Sequence, residues 1–200
     1  MALQGSPMNW HALFRRIRFR LSAWVQPRMV YGFTRGDGVF LKRTRVSNMT
    51  RIEHVGKLMV DDNVYIGHFN LIDASGGLYI GEGCQITNYV SLLTHSSHVA
   101  IRLYGDRYLE SNNHVGYLKK PTKLGPYSFV GPHSVLMPGV ELGKGSMVSA
   151  YSYVPAGSYP DFAILAGNPA RVVGDTREMD AKWLDEHPEL LPLYEAWAHD

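Results

Sequence analysis

The run THSSH places His95 and His98 three positions apart, where a regular pattern of aliphatic residues breaks off. Imidazole, with an unperturbed pKa near 6.5, takes up a proton at neutral pH and gives it back, as a general base must. A single histidine there reads as a solvated turn residue or a loop anchor. Two at one site favour chemistry. His114 lies further into the same irregular segment, with no partner fixed by sequence, and His133 precedes Ser134 on a turn, facing solvent, a ligand or a neighbouring subunit. For His133 a solvent-facing side chain is the preferred reading. Cys84 is the only thiol. It falls at a small, inward place of the pattern, where a neutral buried thiol is inert, so no cysteine nucleophile is expected.

What must position these groups is a repeat of period six. Leu124, Val130, Leu136, Leu142, Val148 and Val154 fill its first place, and Ser128, Ser134, Val140, Ser146, Ser152 and Ser158 its fifth. Gly125, Gly131 and Gly143 occupy the second place, as a tight turn would require. An earlier block repeats the pattern with Val60, Ile66 and Ile72, then Ile80, Ile86 and Leu92 after a two-residue slip around Gly76 and Gly77. A period of six fits neither a helix, at about 3.6, nor a half-buried strand, at 2. It predicts a solenoid of short strands and turns, three hexads to a triangular coil, with residues eighteen apart stacked about 4.8 Å apart in parallel ladders. Between the blocks, residues 97–123 break the period and bring in Arg102, Tyr104, Asp106, Arg107, His114 and Tyr117. So long an insertion in a compact domain reads as functional.

The ends are different objects. The opening MALQGSP reads as an expression remnant or a frayed end and is set aside. Trp10, Phe14, Ile17, Leu21 and Trp24 then recur on one helical stripe, predicting a helix from about 9 to 24 that ends before Pro27, with Phe19 nearly opposite. Residues 1–45 hold nine Lys or Arg against Asp37 alone, +8, inside a net charge of only +2, and residues 175–200 hold eight acids against Arg177 and Lys182, −6. Asp175, with Glu178 three on, predicts a capped helix to about Glu186; Pro188 interrupts it, and Leu190, Leu191, Tyr194 and Trp197 predict a further turn or two. The expected organisation is a lead-in over 1–50, a β-helix over 51–174 carrying the insertion, and a helical tail over 175–200.

At 200 residues, with 45% hydrophobic and 19% charged content, the chain is long enough to bury a core, which excludes disorder, and one cysteine excludes a disulfide scaffold. No stretch approaches the roughly eighteen apolar residues of a membrane span, and the start lacks the apolar core and cleavage site of a secretory signal. A cytoplasmic protein is expected.

The hexads, the insertion after THSSH, and the later run AGNPARVV (166–173) together resemble the left-handed parallel β-helix, or hexapeptide-repeat, acyltransferases over about Val60 to Gly174. THSSH, IRLYG and GPHSVLMPG are most similar to the bacterial branch that O-acetylates or N-acylates sugars for surface polysaccharides. The left hand comes from the resemblance alone. It implies acetyl-CoA as acyl donor, a homotrimer with active sites between subunits, a sugar or nucleotide-sugar acceptor, and a catalytic histidine where the insertion leaves the coil. Counted from Leu92, His98 falls at the family's place better than His95, so His98 is preferred as base and His95 is second. Gly131, Ser149 and Ala150 match the groove for the pantetheine arm, and Arg171, after the GNPA turn, matches a phosphate-binding residue. Asn88, Tyr89, Arg102 and Tyr104 are the acceptor-site candidates. There are departures: SAYS (149–152) stands for the family's GAGS, with VPAG following where a phosphate-contacting lysine is usual, Phe129 stands for a frequent Trp, and Tyr89 for an acceptor-site asparagine.

Two other readings share the architecture. A β-helical zinc enzyme of the carbonic anhydrase type requires three converging histidines, which would add His114, His133 or a partner's residue to His95 and His98. A solenoid scaffold requires no chemistry, and the basic amino-terminal helix could lie on an anionic membrane through Arg15, Arg16, Arg18 and Arg20. Packing of that helix on its own or a neighbouring subunit, against the acidic tail, is preferred because of Phe19. No metal is expected. Nor is nucleic acid, since the basic residues form no recognised module.

Overall fold

The protein is described by a computed structural model from Trp10 to His199; residues 1–9, which include the MALQGSP stretch, and Asp200 lie outside the described residues, as do the side chains of Ala12, Ala23 and Trp24. Helix α1 spans Trp10–Val25, and an antiparallel hairpin follows, β1 (Met29–Thr34) and β2 (Phe40–Ser47). The end of β2 passes directly into the coil, with Arg45 and Val46 pairing in parallel with Tyr65 and Ile66. The coil thus starts a rung earlier than the repeat from Val60 predicts. Residues 55–57 form a short 3-10 turn that lengthens the corner after Ile52 and puts Val46 and Ile52 out of phase with the later hexads.

Three parallel sheets form the faces of the prism, of eight, five and five strands, the larger one including antiparallel strands at both ends. On the first face Val46, Ile66, Ile86, Val130, Val148 and Leu165 stack. The second carries Ile52, Ile72, Leu92, Leu136 and Val154. The third carries Val60, Ile80, Leu124, Leu142 and Tyr159. Except for the end residues Ile52 and Tyr159, these side chains are buried in one cluster. Each such burial contributes about 1.5–3 kcal/mol, so the stack dominates stability.

The glycines of the second place serve contact between coils rather than the turn itself. Gly131 has an ordinary φ, and a Cβ on it would lie 2.6 Å from the backbone nitrogen of Ala150 in the next coil; at Gly125 the distance to Lys144 nitrogen would be 2.5 Å. The left-handed residue of each turn is the fourth, occupied by Phe69, Tyr89, Tyr127, His133, Tyr151 and Phe162 among others. Inward serines close the turns, Ser128 Oγ donating to Gly143 O at 3.0 Å and Ser134 Oγ to Ser149 O at 2.9 Å.

Cys84 is fully buried at an inward place, its Sγ donating to Gly125 O at 3.1 Å. Burial pushes the thiol up to about 12. At the far end, Asp175 caps helix α3 (Thr176–Glu186), its carboxylate accepting from Arg177 N–H, in place of the reciprocal box with Glu178. Helix α2 (Ala100–Tyr104) runs into a 3-10 helix, Gly105–Glu110, and from there to α3 the chain is coil, hairpin and turn. Helix α4 (Leu191–Ala198) lays Trp197 on Tyr127 and Phe162, at centroid distances of 4.6 and 5.8 Å. Among the described residues no helix is long and apolar enough to cross a membrane.

Candidate active site

One corner of the prism, between the second and third faces, is wider than the others. It carries Glu53 and His54, then residues 73–77, then the insertion, in successive coils. The two-residue slip read around Gly76 and Gly77 is part of it. The extra length accommodates a buried carboxylate. Asp73 has a side chain only 1% exposed, yet every polar atom is satisfied. Oδ1 accepts from Ser75 N–H at 2.9 Å, and Oδ2 from Thr94 N–H at 2.9 Å, from Thr94 Oγ1 at 2.8 Å and from His95 Nδ1 at 2.7 Å. Burial alone would raise its pKa; the hydrogen bonds from Ser75 and Thr94 outweigh it and hold the carboxyl well below the usual carboxylate range.

An ionised carboxylate only accepts, so His95 presents its proton on Nδ1 to Asp73 and leaves the Nε2 lone pair free. Ser75 Oγ lies 2.9 Å from the same Nδ1. Tyr117, from the insertion, stacks on the imidazole at 5.8 Å and 11°. The backbone is pinned as well, because His95 and Ser96 pair in antiparallel register with Lys119 and Leu118. Tyr117 and Lys119, which meet His95, also line a polar cavity of about 550 Å³ with Tyr108, Asn112 and His114. A base oriented by a buried carboxylate, with no hydrogen bond drawn to its second nitrogen, can take a proton from a hydroxyl or an amine.

His98 is placed differently. Its Nδ1 meets the exposed Ser96 hydroxyl at 2.8 Å, and its carbonyl accepts from Arg102 Nη1 at 2.5 Å. Arg102 and Tyr104 brace the insertion itself, the Tyr104 hydroxyl accepting from Val115 N–H at 3.0 Å. His114 is an anchor of that loop, bonded through Nε2 to Tyr108 O and stacked on Tyr108 at 4.1 Å. Asn88 and Tyr89 lie on another corner, between the first and second faces, shared with Gly131, Ser149 and Ala150. There the Asn88 side chain accepts from His68 N–H at 2.7 Å. His133 is stacked between Tyr89 and Tyr151, at 4.8 and 4.7 Å, and Phe69 extends the column at 5.2 Å from Tyr89. Arg171 stands exposed on the hairpin of 163–167 with 170–175.

The histidines named for a zinc site thus have separate partners. Among the described residues Glu53, His54 and Asp73 bring potential ligand atoms within 4.8 Å. That set contains one histidine; Glu53 is paired with Arg51 at 2.8 Å, and Asp73 is saturated by hydrogen-bond donors. Asp73, Ser75 and Thr94 were not singled out from sequence. The available signal was an acid at the second place of a hexad, a place that Gly67, Gly81, Gly125, Gly131 and Gly143 fill in other rungs.

No family model matches the chain. It is 27% identical over 139 residues to the carnitine operon protein CaiE of Proteus sp. (strain LE138), covering 64% of each chain. To a probable acetyltransferase of Mycobacterium tuberculosis it is 25% identical over 120 residues, 60% of this chain and 38% of that one. The matched stretch thus spans less than two thirds of these relatives. Among solved structures, AntD, an N-acyltransferase from Bacillus cereus in complex with dTDP and 3-hydroxybutyryl-CoA, superposes with a TM-score of 0.55 at 17% identity, over 72% of this chain and 88% of that one. A maltose O-acetyltransferase from Clostridium difficile 630 does so with 0.53 at 18% identity, over 64% of each. The coil described above is accordingly the left-handed parallel β-helix of the hexapeptide-repeat acyltransferase fold.

Proposed function

We propose that this chain is a CoA-dependent acyltransferase that moves an acetyl group from acetyl-CoA to a hydroxyl or amine of a sugar, in the building of surface polysaccharide. The observation that carries the reading is the buried Asp73 carboxylate fixing His95 at the mouth of the insertion. The names of the relatives and neighbours, which include acetyltransferases and a CoA-bound N-acyltransferase, support it. Both THSSH histidines were candidates; His95 is the better base, because only it has a carboxylate to stabilise the imidazolium.

In the reaction proposed, the acceptor lies in the cavity beside Tyr117 and Lys119. As its oxygen or nitrogen forms a bond to the thioester carbonyl carbon, its proton passes to His95 Nε2. The tetrahedral intermediate then breaks its C–S bond, and Nε2 returns the proton to the departing CoA sulfur. Cys84 has no part in this, so transfer runs through a ternary complex without an acyl-enzyme. Acetyl-CoA lies along the corner of Gly131, Ser149 and Ala150, with Arg171 on its phosphates. Because this corner and that of His95 are different edges of one prism, the site is completed between protomers of a homotrimer.

The test is acetyl-CoA turnover against a panel of free and nucleotide sugars, with the product identified by mass. The reading requires an O- or N-acetylated sugar and its loss in His95→Ala. An acetylated enzyme formed from acetyl-CoA alone would overturn the direct mechanism.

A further inference from the structure

In α1 successive residues advance by about 100°, so its apolar side chains can be placed around the axis. Trp10, Leu13, Phe14, Ile17, Leu21 and Val25 fall in one sector of about 120°. Arg18 borders it on one side and Arg20 on the other, with Arg15 and Arg16 behind. Only Phe19 departs from the scheme. The helix contains no acidic residue, and Asp37 is the first in the sequence. The coil does not cover the apolar sector: Trp10, Phe14 and Leu21 are 59%, 63% and 63% exposed.

We propose that α1 lies in the plane of an anionic lipid bilayer, apolar sector inward, holding the prism at a membrane surface. Sixteen residues make about 24 Å of helix, too short and too charged to cross the hydrocarbon core. Arginines at both borders are placed where their stems follow the apolar surface and their guanidinium groups reach lipid phosphates. Two protein partners fit less well. Part of the charge of the carboxyl-terminal tail is matched within it, Asp175 meeting Arg177 at 2.5 Å and Glu186 meeting Lys182 at 3.8 Å. A second copy of α1 would bring the bordering arginines of two helices together with no acid in either to offset them.

The experiment uses the whole purified protein in flotation with vesicles of phosphatidylcholine alone or with about 30% phosphatidylglycerol, at about 0.1 M salt. Binding at least tenfold stronger to the anionic vesicles is expected. Arg18→Gln with Arg20→Gln should weaken it about 25-fold, roughly fivefold for each charge, and Ile17→Glu should abolish it, with native mass and melting temperature unchanged in both variants. Absence of binding, or equal binding to neutral vesicles, overturns the proposal. So does dissociation of the native oligomer by Ile17→Glu, which would assign the apolar sector to another copy of the chain. The readout does not involve acetyl transfer, so it stands or fails separately from the enzymatic reading.

Discussion

Replacing Asp73 with Asn tests the site most directly, because the two side chains have nearly the same shape and differ in what their atoms offer. Asp73 accepts from four donors, at 2.9, 2.9, 2.8 and 2.7 Å. A carboxamide has one acceptor oxygen and one NH2. If the NH2 replaces Oδ1, it opposes Ser75 N–H. If it replaces Oδ2, it opposes Thr94 N–H and makes His95 Nδ1 an acceptor, which moves the imidazole proton to Nε2 and removes the base. Either way one buried backbone donor is stranded, costing about 1–3 kcal/mol, or about 3–10 °C in melting temperature for a chain of this size. Turnover should fall by about 10² or more, since the imidazolium loses its counter-charge or forms from the wrong tautomer. His95→Ala should fall as far, and the double variant no further than His95→Ala alone, because the two residues act as a unit. The stability difference also has a pH signature. A carboxyl held below its unfolded pKa stabilises the fold fully above that value, about 3.9, and loses the contribution as pH falls below it. The gap in melting temperature between wild type and Asp73→Asn should therefore shrink on acidification from about pH 5 to below about pH 3. Asp73→Asn enzyme with more than about a tenth of wild-type turnover, or His98→Ala as impaired as His95→Ala, would refute the assignment of the base.

Three further outcomes are expected. Cys84, buried and with its thiol pushed up to about 12, should react with thiol reagents only as fast as the protein unfolds, while Cys84→Ser keeps full turnover; rapid native labelling would contradict the packing described. Arg171→Ala should raise KM for acetyl-CoA by about tenfold or more with kcat nearly unchanged, read from initial rates, the loss matching one charge-assisted hydrogen bond. Gly125→Ala should lower the melting temperature by several degrees, since its Cβ would stand 2.5 Å from Lys144 nitrogen and force two coils apart, at about 1–3 kcal/mol. An unchanged melting curve would mean that the coils are more loosely stacked than described.

The prism was legible because its core is written one residue at a time: an aliphatic at each first place and a small residue at each fifth must recur wherever a three-cornered interior is filled. The rung of Val46 and Ile52 was hidden by a single longer corner, which shifts the phase of an otherwise regular count. Glycine at the second place was noticed for the wrong reason. Its role is to let the next coil approach; the left-handed turn position is the fourth, held on one corner by Phe69, Tyr89, His133 and Tyr151 in a stacked column and elsewhere in part by other glycines. For the site, spacing and resemblance pointed to His95 and His98 together and put His98 first, because the carboxylate on which the proposal of His95 rests comes from the preceding coil, 22 residues earlier in the chain. The expected cap at Asp175 formed, though through Arg177 N–H alone.

The excursion between Leu92 and Thr122 leaves the second face and returns at the third in unbroken register, Thr122, Lys123 and Leu124 lying beside Leu78, Tyr79 and Ile80 as though no residues intervened. Such a detour places no demand on the layers above and below it, and closing a loop twice as long would cost only about 0.6 kcal/mol more. The molecule is therefore a chassis with an interchangeable fitting: under the proposed function, grafting a different excursion between Ser96 and Leu118, which pair at its base, should retune which acceptor is admitted, while Asp73 and His95 beneath stay in place.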